Sequence, residues 1–285
     1  MADKEQRKEQ AQKHTSLMKG AFAGETAAAV EAAVIYEEGE GRSLELPDPP
    51  FDATETIVTT AFMPEALYRF GKGTSAVVDP ASFTRPGGAY LDGAFGPEQV
   101  LCSDSNLYEV LCGIKREYHD KNRDYRRGML FTDRCAFLPD VAFSRGGTVR
   151  KANVIAIPEP LRARALENHR SEAECDRELA RRIETILNVA SVNECETLVV
   201  GAFACGRLGY PATQVVELFK EWLDAHPGSL GRIVFAVPRA HFDVFDAAFG
   251  KKEEEPENPA PAATEEESDD EDWRTVDLPE GVTLR

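Results

Sequence analysis

Short apolar runs alternate with helical patterns along most of the chain. Six runs rich in β-branched residues predict strands at 54–60, 75–79, 128–133, 153–158, 197–203 and 232–237. Apolar residues recur at helical spacing in two later segments, namely Leu179, Ile183, Ile186, Leu187 and Ala190, and then Val215, Phe219, Trp222 and Leu223. Strands bounded by amphipathic helices predict an α/β fold, a three-layer α/β/α sandwich with a mixed sheet.

The beginning of the chain has a different pattern. Residues 3–36 are rich in Ala, Glu, Lys and Gln and contain no proline. This composition predicts one helix, or two helices that break near Gly20 and Gly24. A loop with three prolines follows at 39–52 and separates this helical N-terminal arm from the alternating region.

The end of the chain is strongly acidic. Residues 251–272 contain 11 acidic and 2 basic residues. Such a segment cannot bury enough apolar surface to offset its ordering entropy, which predicts disorder. Residues 273–285 include Trp273 and are interpreted as a free terminus, with a docking peptide or a returning edge strand as alternatives. The chain therefore divides into a helical arm (1–50), a folded domain (51–250) and a disordered acidic tail (251–285).

Composition narrows the class of protein. The 285 residues carry 50 acidic and 33 basic side chains, a net charge of −17, which argues against general nucleic-acid binding. The six cysteines form no CxxC pair, which favours reduced thiols over a zinc site or a disulfide framework, and no metal or cofactor is predicted. No apolar run reaches about 18 residues and no signal peptide is recognisable, so we expect a cytoplasmic protein without membrane association.

Two glycine-rich loops carry the candidate chemistry. The first, within 79–108, holds Gly87, Gly88, Gly93 and Gly96 before a helix predicted to start near Pro97; the second, GAFACGRLGYP (201–211), lies between an apolar strand and a helix. Glycines allow the backbone to approach a ligand, and free amides at a helix start attract phosphate. Two such loops at strand ends predict a crevice for a ligand with two phosphates. Neither loop has the GxGxxG or GxxxxGK[ST] spacing, which argues against a nicotinamide or P-loop site.

Cys205 in the second loop allows two interpretations. It could act as a nucleophile, but no histidine lies near it in the sequence. We therefore favour a small buried residue.

The two loops together resemble the signatures of the microbial-type poly(ADP-ribose) glycohydrolases, a macrodomain branch. In that family a Gly-Gly-Gly loop precedes Gln-Glu-Glu by six to eight residues, and RPGGAYLDGAFGPEQVLCSDSNLY is similar to this signature. GAFACGRLGYP resembles the family's diphosphate loop, and further similarity runs through 131–140 and 153–160. The resemblance covers about residues 15–250 and implies a macrodomain-like fold that binds ADP-ribose or an ADP-ribosylated protein.

The resemblance also implies roles for individual residues. It assigns ligand binding to Gly87, Gly88 and Ala89, whose amides would line the distal ribose. It also assigns ligand binding to Gly201, Phe203, Ala204, Cys205, Gly206, Arg207 and Leu208, and the amides from Ala204 to Arg207 would cradle the diphosphate. In the family, the first glutamate of Gln-Glu-Glu holds the ribose and the second is the catalytic acid. Here the motif reads Pro97-Glu98-Gln99, so Glu98 would hold the ribose and Gln99 would replace the acid.

Three further positions depart from the family pattern. Ala89 takes the place of the last glycine of the first loop. Ala204 replaces the central glycine of the second loop, and Leu208 replaces an aromatic residue that packs on the ribose.

These departures leave three functions open. The first is a glycohydrolase that cleaves ribose O-glycosidic bonds, with Glu98 carrying or sharing the acid role. The second is a reader that binds ADP-ribose without turnover, since a glutamine amide cannot donate the proton and losing a general acid typically costs about 10²–10⁴ in rate. The third, least favoured, is a scaffold whose acidic tail contacts an unknown partner. A solvated carboxylate at the helix start is the alternative interpretation of Glu98.

Overall fold

The computed structural model describes residues 3–125 and 127–250. Within these ranges the strands are β1 (Val34–Tyr36), β2 (Glu55–Thr59), β3 (Ser75–Pro80), β4 (Cys135–Arg145), β5 (Thr148–Ile157), β6 (Thr197–Gly201) and β7 (Arg232–Ala236). The α-helices are α1 (Lys4–Ala21), α2 (Ala23–Glu31), α3 (Met63–Phe70), α4 (Pro97–Ser103), α5 (Leu107–Gly113), α6 (Arg162–Glu167), α7 (Glu172–Val192), α8 (Ala212–Ala225) and α9 (Arg239–Phe249).

The strands form one mixed sheet in the order β1-β4-β5-β3-β6-β7-β2. Strands β5, β3, β6, β7 and β2 are parallel, whereas β4 pairs antiparallel with both β5 and β1. The mixed sheet is as predicted. Because the five parallel strands end at the same edge, the segments that follow them lie side by side there.

Helices cover both faces of the sheet, so the three-layer α/β/α prediction is confirmed. On one face, α7, α8 and α9 pack on the strands, and all five predicted stripe residues of α7 are at most 1% exposed. On the other face, the buried side chains of α3, α4 and α5 include Leu67, Leu101 and Leu111. Burial of one such side chain stabilises the fold by about 1.5–3 kcal/mol. The sheet edge is therefore held between two packed layers.

The strand predicted at 128–133 is wrong. Arg127, Met129 and Phe131 have φ angles of +43°, +76° and +59°, which an extended strand does not accommodate. The strand in this region is β4 instead, and it continues through a hairpin into β5. Pro139 obscures it in the sequence, because it lies where the register of the hairpin shifts, between Leu138 and Val141.

The N-terminal region contains two helices, the second of the two arrangements predicted. The break lies at Phe22, between α1 and α2. The helical prediction fails at 34–36, where Val34, Ile35 and Tyr36 form the edge strand β1, because β-branched and aromatic residues favour extended structure. Helix α1 also reaches the first glycine loop, since Arg7 Nε donates to the Gly93 carbonyl at 2.9 Å.

The predicted acidic tail lies outside the described residues, and the division of the chain at residues 50 and 250 stays a prediction. Among the helices of the described ranges, none combines the length and apolar character needed to cross a membrane.

Candidate functional site

The first glycine loop follows β3 and requires glycine at two positions. Gly87 and Gly88 have φ angles of +61° and +56°. A Cβ atom at Gly88 would lie 2.5 Å from Ser82 Oγ and 3.1 Å from Glu98 Oε2. The loop backbone therefore lies directly on the Glu98 carboxyl group, and a side chain there would displace it.

Glu98 is the buried carboxyl group of this loop. It is the second residue of α4 and is 3% exposed, so the interpretation as a solvated helix-start carboxylate is wrong. Its Oε2 accepts hydrogen bonds from Ser82 Oγ at 2.7 Å and from Gln99 Nε2 at 3.3 Å. Burial raises the pKa of Glu98 to about 7, although contacts with Ser82 and the Gly87 backbone oppose the rise. Both protonation states are therefore available near neutral pH.

Gln99 ties the first loop to α4. Its Nε2 donates to the Gly87 carbonyl at 3.1 Å, in addition to the bond with Glu98. Its side chain also lines a cavity of about 420 Å³ between α1 and this loop, together with Arg7, His14 and Tyr90. Gln99 thus holds both Glu98 and the glycine backbone in place.

The second glycine loop follows β6 and includes an alanine in a left-handed conformation. Ala204 has a φ angle of +60° and Gly206 one of +68°. The side chains of Phe203 and Ala204 are buried in the core, whereas Gly206 and Arg207 are exposed. The backbone of this loop, and not its apolar side chains, therefore faces outward at 206–207.

The two loops meet at one cleft of about 480 Å³. Of the residues predicted from the sequence, Gly201, Cys205, Arg207 and Leu208 line it, while Gly96 and Pro97 contribute from the first loop. The described residues that line the cleft do not include Glu98, Gly87, Gly88 or Ala89. The structure thus brings the loops together but covers the Glu98 carboxyl.

Segments that follow other strands complete the cleft. Phe62 and Met63 follow β2, and His241 lies in α9 after β7. Phe62 is 58% exposed and meets Phe95 of the first loop edge to face, with 6.3 Å between the ring centroids. Sequence reasoning missed these residues, because isolated aromatic and histidine side chains carry no pattern of their own.

Sequence reasoning also missed two carboxyl groups beside Glu98. Asp79, at the end of β3, is fully buried, and neither of its carboxyl oxygens has a hydrogen-bond partner among the described residues. Burial, and then Glu98 and Glu159, raise its pKa. Glu159 follows β5 and accepts from the Ala204 amide at 2.6 Å. Two features of the sequence could have indicated these carboxyl groups. Asp79 lies at the end of a buried strand, and Glu159 lies between two prolines just after a strand.

Cys205 behaves as a buried thiol. It is 8% exposed, and burial together with nearby Glu159 raises its pKa to about 12. A thiol that stays protonated is a poor nucleophile, which disfavours that alternative. Within the described ranges no group of His, Cys, Asp and Glu side chains is arranged to hold a metal ion.

Comparisons with known proteins agree on one family. Residues 5–146 match the family model described as microbial-type PARG, catalytic domain. The chain is similar to the poly(ADP-ribose) glycohydrolase of Thermomonospora curvata, with 25% identity, 85% of this chain and 99% of that chain covered, and a TM-score of 0.76. No curated protein sequence matches this chain.

Two ligand-bound structures are also similar. The Thermomonospora curvata enzyme bound to the inhibitor ADP-HPD is 25% identical, with coverage of 85% and 98% and a TM-score of 0.73. The Deinococcus radiodurans glycohydrolase in complex with ADP-ribose is also 25% identical, with coverage of 78% of this chain and 96% of that chain and a TM-score of 0.68.

Proposed function

This chain belongs to the microbial-type poly(ADP-ribose) glycohydrolase family, and from that premise we propose that it binds ADP-ribose and cleaves ribose O-glycosidic bonds of ADP-ribosyl groups. One observation carries the proposal: two glycine loops at the same sheet edge meet at one cleft, with a buried carboxyl group under the first loop. The related structures in complex with ADP-ribose and ADP-HPD support the choice of ligand. Two expectations stay predictions: that the protein is cytoplasmic, and that its acidic tail contacts a partner of unknown identity.

The backbone amides supply most of the proposed binding. Those of Gly87, Gly88 and Ala89 would line the distal ribose. Those from Ala204 to Arg207 would cradle the diphosphate, aided by the exposed Arg207 guanidinium group. The apolar walls of the cleft would then receive the adenosine part of the ligand.

Glu98 is the group that we propose as the acid. Cleavage passes through an oxocarbenium-like state, in which the departing oxygen takes a proton from a carboxylic acid while water attacks the anomeric carbon. The most efficient acid has a pKa near the working pH. The pKa of Glu98, about 7, meets this condition, and the carboxylate left after transfer would recover a proton from the attacking water.

Gln99 favours a second candidate, an ADP-ribose reader. It occupies the position of the family's catalytic glutamate, and its amide cannot donate the required proton. Glu98 is only 3% exposed, so it can act only if ligand binding opens the covering loop toward the anomeric centre. The reader would use the same glycine loops without this opening.

Release of free ADP-ribose from poly(ADP-ribose) and from mono(ADP-ribosyl) protein separates the two candidates. If Glu98 is the acid, the wild type turns over, Glu98→Ala loses about 10²-fold or more, and Gln99→Glu brings no gain, because a second carboxylate disturbs the first. If the chain is a reader, the wild type is inactive while Gln99→Glu gains activity with unchanged affinity. Wild-type turnover that survives Glu98→Ala would contradict both.

Binding is measured separately by calorimetry with ADP-ribose at concentrations up to millimolar. The wild type and both variants should release or absorb heat, since neither substitution removes a backbone amide. No binding by the wild type would reject the proposed ligand whatever the activity assay shows.

A further inference from the structure

Glu159 reaches the second glycine loop from a different strand. It lies two residues after the end of β5, between Pro158 and Pro160, and lines the cleft. Its Oε1 accepts a hydrogen bond from the backbone N–H of Ala204 at 2.6 Å. The prolines restrict the backbone on both sides of Glu159, so the carboxyl group is held against the loop.

The same N–H group belongs to the proposed diphosphate cradle. An amide has one hydrogen, so a phosphate oxygen and the Glu159 carboxylate compete for it. The ionised carboxylate would also lie beside the negative charge of the ligand. Repulsion between two neighbouring negative charges is strong in a partly buried site. Binding of a diphosphate therefore requires a change at Glu159.

On the basis of the proposed function, we infer that Glu159 is a specificity-determining residue of the ADP-ribose site. The diphosphate is admitted only when the Glu159 carboxyl group is protonated, so that each ADP-ribose bound takes up one proton from solvent. The protonated group then donates its O–H to a phosphate oxygen or turns away from the Ala204 amide. In either case the loop amide becomes available to the ligand and the charge repulsion is removed.

The groups around Glu159 make this proton uptake possible near neutral pH. Burial raises the pKa of Glu159 to about 7, while the Ala204 amide and Arg207 lower it and Glu98 raises it. Asp79 from β3, Cys205 from the second loop and His241 from α9 are the other titratable groups nearby. The carboxyl groups near Glu159 outnumber the single arginine, so the described part of the site has no spare positive charge. The negative charge of an added diphosphate therefore raises the pKa of Glu159 further.

The sign of the pH effect follows from these pKa directions. Below about pH 7, Glu159 is already protonated in the free protein, and affinity does not change with pH. Above about pH 7, each bound ligand must bring a proton onto an ionised carboxylate, so affinity falls by up to about tenfold per pH unit. The diphosphate itself stays fully ionised across this range and contributes no slope.

The test is calorimetric titration of the full chain with ADP-ribose from pH 6 to pH 9. At each pH, two buffers of different ionisation enthalpy give the number of protons taken up on binding. The wild type should lose about 10–100-fold in affinity across this range and take up close to one proton at pH 8. Glu159→Gln, which keeps the size of the side chain without its charge, should bind with nearly constant affinity and take up none.

Glu109→Gln is the matched control, since burial also raises the pKa of Glu109 but this residue lies in α5 and does not line the cleft. It should keep the pH slope and the proton uptake, whereas Glu98→Gln tests the neighbouring carboxyl group under the other loop. A slope that disappears in Glu98→Gln and persists in Glu159→Gln would overturn the inference and transfer the effect to Glu98.

Two more outcomes separate this inference from the function on which it rests. Equal and pH-independent binding by the wild type and Glu159→Gln would overturn the role of Glu159 and leave the proposed ligand intact. Absence of binding by every variant at every pH would reject the ligand, and the inference with it. Melting curves of Glu159→Gln and Glu159→Ala show that both variants are folded before the titrations are interpreted.

Discussion

The two glycine loops at the sheet edge hold a buried carboxyl group in different ways. In the first loop, side chains and backbone both bind Glu98: the Ser82 hydroxyl donates to it at 2.7 Å and the Gln99 amide at 3.3 Å, and backbone hydrogen bonds with Ser82 and Gly87 lower its pKa. In the second loop, the backbone binds Glu159, through the Ala204 amide at 2.6 Å. Each arrangement therefore occupies a backbone amide of its loop, and the first carboxyl group is held by side-chain donors as well.

The structure shows that the positions predicted to depart from the family motif are not equivalent. Ala89 has a φ angle of −103°, which any residue adopts. Ala204 has a φ angle of +60°, which disfavours a side chain. Gln99 has a structural role, because it bonds both Gly87 and Glu98.

The largest expected effect concerns glycine substitutions in the two loops. Gly88→Glu should reduce ADP-ribose affinity by at least about 10³-fold, because its Cβ would lie 2.5 Å from Ser82 Oγ and its charge would adjoin Glu98. Gly206→Glu should lose about 10–100-fold, since a Cβ there meets only His241 Nε2, at 3.3 Å. Calorimetry measures both affinities.

Gly146→Glu controls for backbone strain in this pair. Gly146 has a φ angle of +57° in the β4–β5 turn, and a Cβ there has open space around it. It should lose stability through the same strain, about 1–2 kcal/mol, without loss of binding. Equal losses of affinity in Gly88→Glu and Gly206→Glu would contradict the prediction that the first loop tolerates a side chain less well than the second.

The next effect is the pH dependence of stability. Burial raises the pKa of Glu98 from 4.5 to about 7, so the fold disfavours its ionised form. Its favourable contribution is complete below about pH 4.5 and is lost as the pH rises to about 7, a change of about 3 kcal/mol. Urea unfolding between pH 4.5 and pH 8 should show a flatter profile for Glu98→Gln than for the wild type.

Glu159→Gln extends this measurement to the second loop. The pKa of Glu159 is also raised to about 7 by burial. Because the two pKa shifts are alike, Glu159→Gln should flatten the profile by about as much as Glu98→Gln does. Parallel profiles for the wild type and both variants would mean that neither carboxyl group is destabilised by the fold.

How much of this could be predicted from the sequence depends on how local each signal is. The layers could be predicted, because the stripe from Leu179 to Ala190 and the buried strands repeat within short windows. Both glycine loops could be predicted for the same reason. Strand β4 could not, because Pro139 and a register shift interrupt its pattern. The approach of Glu159 to Ala204 joins segments 45 residues apart and has no local signal.

A smaller effect tests how side chains control Glu98 in the first loop. Ser82→Ala removes the hydroxyl group that donates to the carboxylate, so the pKa of Glu98 should rise above about 7 by about 1 unit. Carbon-13 NMR titration of the glutamate carboxyl groups measures the shift without requiring activity. Ser103→Ala, at the exposed end of α4, should leave it unchanged. An unaltered pKa in Ser82→Ala would contradict control by this hydroxyl.

The smallest effect compares Ala89 and Ala204, the two alanines predicted to stand at glycine positions of the family motif. In Ala204→Gly, relief of the left-handed conformation gains about 1–2 kcal/mol, while loss of a buried methyl group costs about 0.8 kcal/mol and the added chain entropy of the unfolded state costs about 0.4–1 kcal/mol. These effects nearly cancel, so the melting temperature should stay within about 4 °C of the wild type. Ala89→Gly relieves no strain and adds the same chain entropy, so its melting temperature should fall further. Calorimetric melts of both variants measure this difference directly. A fall of equal size in both would show that Ala204 adopts its conformation without cost, and that the second loop tolerates a side chain as readily as the first.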